Sequence, residues 1–308
     1  MNSQLSPPQS KAPLSDLFHR SIEVDAITHI KSALREDLGD TGDITSQFCL
    51  ESTLPGKAVI ISKETGVVAG LIVAQLTFRE LDAGLHAVIL KNDGDRVVAG
   101  EAVLEAGGRA ASILTAERTA LNFLQRLSGI ASLTARFVEN VAGTAARILD
   151  TRKTTPGLRS LEKYAVRAGG GENHRFGLFD MVLIKENHIA AAGGITRAIS
   201  NVRSGLRHRV LPAPAVKIEV EVRNLDELKE ALELCPDRVL LDNMDLRQIQ
   251  QAVRLVAGRL PLEVSGGVTL DNVRQIAQCG VDFISVGALT HSAPALDFSL
   301  LFDHDQTN

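Results

Sequence analysis

What this 308-residue chain lacks narrows its class before any motif is read. Its three cysteines, Cys49, Cys235 and Cys279, are odd in number, far apart and without a C-x-x-C pair. That argues against both a disulfide framework and a structural zinc site. No apolar run approaches the roughly 18 residues that a membrane-spanning helix needs. There is no surplus of positive charge either. The formal net charge is −4, which gives no reason to expect nucleic acid or an anionic membrane as the main partner. The opening stretch MNSQLSPPQSKAPLS is polar and rich in Pro and Ser, with no apolar core, and reads as a flexible leader rather than a signal peptide. A reducing cytoplasm is the compartment these features suggest.

The chain does carry enough apolar residues, 44%, to bury a substantial core, and it is long enough for one large domain or two ordinary ones. Its charge is uneven. Between Arg147 and Lys185, eight Lys/Arg face four Asp/Glu, a local surplus of four positive charges in an otherwise acidic protein. A basic island of this size points to a small anionic ligand rather than a polyanion.

Residues 22–38 show helical spacing (Ile22, Ile27, Ile30, Ala33, Leu34) that ends at Gly39. Over 57–105 the runs KAVIIS, GVVAGLIVA, HAVIL and DRVVAG are short, β-branched and separated by Gly or Asn-Asp-Gly turns, so they read as strands. The segment NDGDRVVAGEAVLEAGG resembles the turn-and-strand pattern of lipoyl- and biotinyl-type domains. It has no lysine at the tip, which leaves a structural sheet. A long helical pattern runs from Ser112 to about Val141, with a break expected near Gly129. The rhythm then becomes strand, loop, helix. Six strands are predicted: 146–150, 181–184, 216–222, 238–242, 261–265 and 282–286. Repeated units of this kind favour a parallel sheet closed into a barrel, or a doubly wound sheet.

In such barrels ligands gather at the C-terminal strand ends. Here the first strand is followed by Asp150, Thr151, Arg152, Lys153, Thr154 and Thr155, and the second by Lys185, Glu186, Asn187 and His188. Lys217, Glu219 and Glu221 alternate, which places them on one face, inward, where the two glutamates could be neutralised by Lys217. The next strands end in Asp242, in Ser265-Gly266-Gly267 and before Gly287-Ala288. Each feature alone has an ordinary structural explanation; six successive strand ends with ligand-capable groups form a pattern. Ser265, Gly266 and Gly267, with Thr269 as an expected helix N-cap, and Gly287-Ala288 suit a phosphate pocket, where free N–H groups and close backbone approach are needed. Arg152, Arg175 and Arg118 offer forks for carboxylates, while Lys153 and Lys185 supply point charges. Glu221 and Asp242 suit ribose hydroxyls or a hard Mg²⁺. The site thus has room for two anionic partners.

These residues carry a resemblance. ERTALNFLQRLSGIAS (117–132), DTRKTTPGLRSLEKYAVRAGGGENHRFGLFDMVLIKENHI (150–189), EVEV (219–222), LLDNM (240–244), EVSGGV (263–268) and ISVGALTHS (284–292) resemble the quinolinate phosphoribosyltransferase family from about residue 22 to the C-terminus. The leader and the loop 206–215 look peripheral. The resemblance implies an N-terminal α/β sandwich domain and a seven-stranded, TIM-barrel-like α/β barrel, one strand more than the pattern yields. Its domain boundaries would be a leader over 1–20, the sandwich over 21–128, the barrel over 129–290 and a C-terminal tail over 291–308 that packs back on the sandwich.

The resemblance further implies cytoplasmic transfer of phosphoribosyl from phosphoribosyl pyrophosphate to quinolinate, with loss of CO₂, giving nicotinate mononucleotide for NAD biosynthesis. Carried over by motif, Arg118 would reach from a partner subunit of a homodimer. Arg152, His174, Arg175 and Lys185, with Thr151, would surround the quinolinate carboxylates. Lys153, Glu221 and Asp242 would serve the phosphoribosyl pyrophosphate and its Mg²⁺, with Lys153, Lys185, Glu221 and Asp242 acting in catalysis. Ser265, Gly266, Gly267, Gly287 and Ala288 would cradle the 5-phosphate. Three other readings of the strand-end pattern stand beside this one. They are a related transferase acting on another pyridine or pyrimidine acid, an aldolase-type barrel using Lys185 as a Schiff base, and a non-catalytic sensor of a phosphorylated metabolite.

Overall fold

The computed structural model describes residues 20–208 and 216–302; the expected leader, apart from Arg20, and residues 209–215 of the expected loop lie outside them. In chain order the described elements are α1 (Arg20–Leu38), α2 (Ile44–Cys49), β1 (Pro55–Ser62), β2 (Gly66–Val67), α3 (Leu71–Leu81), β3 (His86–Ile89), β4 (Arg96–Val97), β5 (Ala102–Arg109) and α4 (Ala110–Asn140). There follow β6 (Arg147–Leu149), α5 (Arg159–Ala168), β7 (Val182–Ile184), α6 (Glu186–Ala192), α7 (Ile195–His208), β8 (Ile218–Val222), α8 (Leu225–Glu233) and β9 (Arg238–Asp242). The last are α9 (Leu246–Val256), β10 (Leu262–Ser265), α10 (Val273–Gln278), β11 (Phe283–Ser285), α11 (Ala288–His291) and β12 (Phe298–Phe302). Two compact units divide the chain: residues up to Ser128 together with those from Leu296 onward, and Gly129–Ala295. The expected tail over 291–308 therefore divides between them at Ala295.

In the first unit an antiparallel sheet runs in the order β12-β1-β5-β3. The alternation of KAVIIS is visible in β1, where Ala58, Ile60 and Ser62 are buried and their neighbours partly exposed. Ile60 and Leu104 from the sheet share one apolar cluster with Phe78 of α3 and Ile113, Leu121 and Leu124 of α4, an α/β sandwich. Each such fully buried side chain contributes about 1.5–3 kcal/mol. The run GVVAGLIVA is not one strand. It splits into the two-residue β2 and the start of α3 at Gly70, whose φ of +96° turns the chain. The Asp93 carboxylate of the Asn-Asp-Gly turn accepts the Leu71 N–H at 3.0 Å and so closes the helix start. Six of the eleven residues of α3 are buried, so no polar face marks its period.

The expected break at Gly129 does not occur: α4 is continuous from Ala110 to Asn140. Glycine is present there for packing, because a Cβ would lie 2.0 Å from the Pro294 carbonyl oxygen.

The second unit is built on a parallel sheet in the order β6-β11-β10-β9-β8-β7. Glu219 on β8 and Glu263 on β10 are separated by β9, nearly 10 Å apart in a flat sheet. Yet both reach one ring, with His174 Nε2 lying 3.1 Å from Glu219 and 3.4 Å from Glu263. The sheet is therefore curled into a barrel with these side chains inside. Among the described residues the seventh strand implied by the resemblance is reduced to one parallel bridge between Leu149 and Glu172. Of the three glycines before it, Gly169 and Gly171 are glycine because α4 passes so close, and Gly170 adopts a φ of +86°. A Cβ on Gly169 would lie 2.3 Å from the Ala131 carbonyl oxygen, and one on Gly171 2.8 Å from Thr134 Cγ2. That segment has no β-branched alternation to read.

Candidate active site

At the C-terminal strand ends of the second unit lies a cavity of about 690 Å³. Thr151, Arg152, Lys153, His174, Arg175 and Lys185 line one part of it, and Asp242, Ser265, Gly266, Gly267, Gly287 and Ala288 line the rest. Twelve of the residues singled out in the sequence thus meet in one place. Glu221 is not among the lining residues. It stands behind Lys185, whose ammonium donates to it at 2.7 Å. Arg118 belongs to the first unit, where it is exposed on α4.

The loop after β6 is shaped by its own hydroxyls. Thr151 Oγ1 accepts the Lys153 N–H at 3.0 Å, and Thr290 donates its hydroxyl to the Lys153 carbonyl at 2.8 Å. Thr155 is tied through its N–H and hydroxyl to the buried Glu162 on α5. Arg159 is not among the lining residues and braces two loops, donating to Thr154 Oγ1 and the Phe176 carbonyl, each at 3.1 Å. His188 fixes the Lys185 backbone by accepting its N–H at 2.9 Å.

Arg175 donates to the Met181 carbonyl at 3.1 Å. Burial and the neighbouring Arg152 guanidinium disfavour its charge, against the opposing pull of Asp180 and Glu219. Arg152 Nε is buried and makes no hydrogen bond among the described residues. A buried donor without an acceptor costs about 1–3 kcal/mol, so this pair is poised for an anion.

Below them sits a charge network that the sequence reading assigned differently. Glu219 is not neutralised by Lys217. Its partners are His174 and, more distantly, Arg238, whose Nε lies 4.0 Å away. Arg238 also donates to Glu263 at 2.7 Å, and its guanidinium stacks 3.9 Å from the centre of the Phe283 ring. Burial lowers the proton affinity of His174, and its contacts with Glu219 and Glu263 more than reverse this, lifting its pKa to about 9. For Glu263 burial opposes ionisation, but His174 and Arg238 prevail and hold it at about 2. His174 Nδ1 faces the Arg175 N–H at 2.7 Å, a contact suited to a neutral imidazole. The two carboxylates at Nε2 favour the imidazolium, while burial and the charge of Glu263 push Glu219 above the usual carboxylate range.

On the opposite side Asp242 is pushed above the usual carboxylate range by burial and by the charge of Glu221. Asn243, a residue the sequence reading passed over, donates to Asp242 at 2.9 Å while its own φ is +53°. The following loop depends on Gly266, at φ +93°, where a Cβ would lie 2.1 Å from Asn243 Oδ1. Thr269 is not a helix N-cap. The cap of α10 is Asn272, whose side chain staples the loop by accepting the Thr269 N–H and donating to the Gly267 carbonyl. His291 also lines the cavity and was legible only as part of the ISVGALTHS motif.

Comparison with known proteins matches residues 43–128 to the quinolinate phosphoribosyl transferase N-terminal domain and 130–301 to its C-terminal domain. A carboxylating nicotinate-nucleotide pyrophosphorylase of Arabidopsis thaliana, named chloroplastic, is 45% identical over 300 residues, covering 92% of this chain and 84% of that protein. A probable carboxylating nicotinate-nucleotide pyrophosphorylase of Bacillus subtilis is 43% identical over 267 residues, covering 86% and 89%. The crystal structure of NadC from Streptococcus pyogenes superposes with a TM-score of 0.85 at 42% identity, covering 92% of this chain and 99% of that one.

Proposed function

The chain belongs to the quinolinate phosphoribosyltransferase family, and from that premise we propose that it transfers phosphoribosyl from phosphoribosyl pyrophosphate to quinolinate, releasing pyrophosphate and CO₂ and forming nicotinate mononucleotide. The observation that supports this best is Arg152, whose buried Nε lacks an acceptor among the described residues, beside the second guanidinium of Arg175 in one cavity. A ligand with two adjacent carboxylates relieves the repulsion between the two and supplies the acceptor that Arg152 lacks.

In this reading Arg152, His174, Arg175 and Lys185, with Thr151 nearby, hold the pyridine dicarboxylate. Ser265, Gly266, Gly267, Gly287 and Ala288 present backbone N–H groups to the 5-phosphate of the sugar. Lys153 screens the departing pyrophosphate, and Glu221 and Asp242 take the ribose hydroxyls. As pyrophosphate leaves, the anomeric carbon gains oxocarbenium character and the pyridine nitrogen attacks it. The pyridinium that results stabilises the carbanion left at the adjacent carbon when CO₂ departs, and a proton then replaces the carboxylate there. The protein's task is to bring two repelling anions together and screen them. The donors present fit a hard cation: Asp242 is held above its usual pKa by burial and the neighbouring Glu221, a repulsion that Mg²⁺ relieves. Mg²⁺ on Glu221 and Asp242, directly or through water, would supply neutralisation of the pyrophosphate. A Schiff-base role for Lys185 fits poorly, because the nitrogen that would attack a carbonyl is engaged with Glu221 at 2.7 Å.

Two chains are proposed to complete each site, with Arg118 entering from the partner. Supporting this, the loop beside Arg175 exposes Leu178 and Phe179 by 72% and 78%, an apolar surface of the kind a second copy covers. No helix among the described residues is long and apolar enough to cross a membrane, and all three cysteines are free thiols, which supports a reducing compartment such as the cytoplasm.

Incubation with quinolinate, phosphoribosyl pyrophosphate and Mg²⁺ is expected to yield nicotinate mononucleotide and CO₂; no turnover by folded protein would reject the proposal. Mixed Arg118→Ala and Lys185→Ala chains, each inactive alone, are expected to regain part of the activity as hybrids. Inactivity after demonstrated subunit exchange would rule out the shared site.

A further inference from the structure

Between Gly169 and Met181 the chain forms no helix and no strand beyond the bridge at Glu172, yet this segment carries His174 and Arg175. No sheet ladder holds it at His174. A buried ion pair outside the cavity does: Asp150, fully buried after β6, and Lys163, 3% exposed on α5. Lys163 pairs with Asp150 and also donates to the His174 carbonyl at 3.0 Å. Asp150 accepts the His174 N–H at 2.9 Å. Both backbone groups of His174 are therefore held by one ion pair. Asn173 locks the arrangement, donating to Asp150 at 2.5 Å and to the Lys163 carbonyl at 2.9 Å.

Stability alone does not account for such a pair, since well-packed apolar residues replace buried ion pairs with little loss and often with gain. An apolar pair cannot hold one residue's N–H and carbonyl together, and so cannot fix the direction in which its Cβ projects. That direction aims the His174 ring between Glu219 and Glu263 and sets Arg175 beside Arg152.

We propose that the Asp150–Lys163 pair is a positioning device that sets specificity for a vicinal dicarboxylate, by holding His174 and Arg175 where the second carboxylate of the substrate must bind. This rests on the quinolinate reading above. It predicts that disturbing the pair weakens recognition of the second carboxylate while leaving the sugar phosphate and a pyridine monocarboxylate untouched.

The test compares wild type, Asp150→Asn, Lys163→Met and the double variant by thermal melting, by titration with quinolinate and with nicotinate, and by the KM for phosphoribosyl pyrophosphate. Each single variant leaves a buried charge unpaired and is expected to melt at a lower temperature. The double variant removes both charges and is expected to recover most of that loss. Its dissociation constant for quinolinate should nonetheless stay raised by about 10-fold or more, the scale of a lost charge-assisted hydrogen bond. Nicotinate affinity and the KM for phosphoribosyl pyrophosphate should stay within about twofold. Asn173→Ala, at an exposed position and with the ion pair itself kept, should raise the quinolinate constant by about threefold with the same selectivity. The inference is overturned if the double variant or Asn173→Ala binds quinolinate like wild type, or if all ligands weaken equally. Wild-type protein that binds no quinolinate would overturn the functional reading as well, and so separates the two failures.

Discussion

The floor and the rim of the barrel cavity share strands β8 and β9, with Glu219 and Glu221 one pleat repeat apart, and they treat charge in opposite ways. On the floor, Glu219 and Glu263 face His174 and Arg238, two negative groups against two positive ones. At the rim the Arg152 and Arg175 guanidinium groups repel, with a buried Arg152 donor unmet among the described residues, while Asp242 and Glu221 repel across the strands. Alternation places both layers inside, so being inward does not distinguish structural from functional charge. Balance does. The floor can persist without a ligand, whereas the rim is unsatisfied until anions and a cation arrive. The floor is balanced by charge more than by geometry, since both Glu219 oxygens and Glu263 Oε1 make no hydrogen bond among the described residues.

Breaking the balance of the floor should have the largest effect. Glu263→Gln leaves Arg238 and His174 with one carboxylate between them, and removing one partner of a buried pair costs about 3–5 kcal/mol. Thermal or urea melts at pH 7 would read this loss. The same network gives a pH signature. The folded pKa of His174 is raised to about 9, above its ordinary 6.5, so its contribution is complete below pH 6.5 and is lost as the pH climbs to about 9. A shift of that size sets a ceiling of about 3 kcal/mol. Wild-type stability should fall across that window, and the slope should flatten in Glu263→Gln. Equal slopes would mean that the imidazole is not the titrating group.

Disturbing the rim should leave stability intact and strike binding. Arg152→Ala is expected to weaken quinolinate binding on the order of 100-fold, the scale of charged hydrogen bonds lost to a carboxylate. The melting temperature should hold or rise, because the repulsion with Arg175 disappears. Titration calorimetry together with a melt separates this from misfolding. Unchanged affinity would remove Arg152 from the site.

The rim was legible in the sequence because ligand-capable residues follow each apolar strand and loops at strand ends have few other reasons to carry them. The floor was less so. The alternation of Lys217, Glu219 and Glu221 identified the inward face, but the partner that neutralises Glu219 comes from residue 174, on a segment no local pattern can place. Tertiary proximity also explains the other differences. Gly129 resembles a helix breaker, yet it is a contact surface for Pro294, and Gly169–Gly171 conceal the bridge at Glu172 for the same reason. In the first unit, α3 is apolar on too many sides for its period to show. Glu221 and Asp242 stand out in the sequence because carboxylates at strand ends are conspicuous. Asn243, which holds Asp242, has no such signature beyond its left-handed backbone.

The smallest effects separate two glycines of the rim that look alike in sequence. Gly266 has φ +93° and would place a Cβ 2.1 Å from Asn243 Oδ1, so Gly266→Ala strains the backbone and displaces the group that orients Asp242. A left-handed backbone forced on alanine costs about 1–2 kcal/mol, and the KM for phosphoribosyl pyrophosphate should rise by roughly tenfold. Gly287 has an ordinary φ of −64°, and its nearest neighbours are Lys153 Cδ at 3.0 Å and His291 Nε2 at 3.2 Å, both on side chains that can yield. Gly287→Ala should therefore raise the same KM by only about two- to threefold, at or below 1 kcal/mol. Steady-state kinetics on the two variants decides whether the phosphate loop depends on glycine for its backbone conformation or only for space. Equal losses would point to space alone, since crowding is the one feature the two positions share.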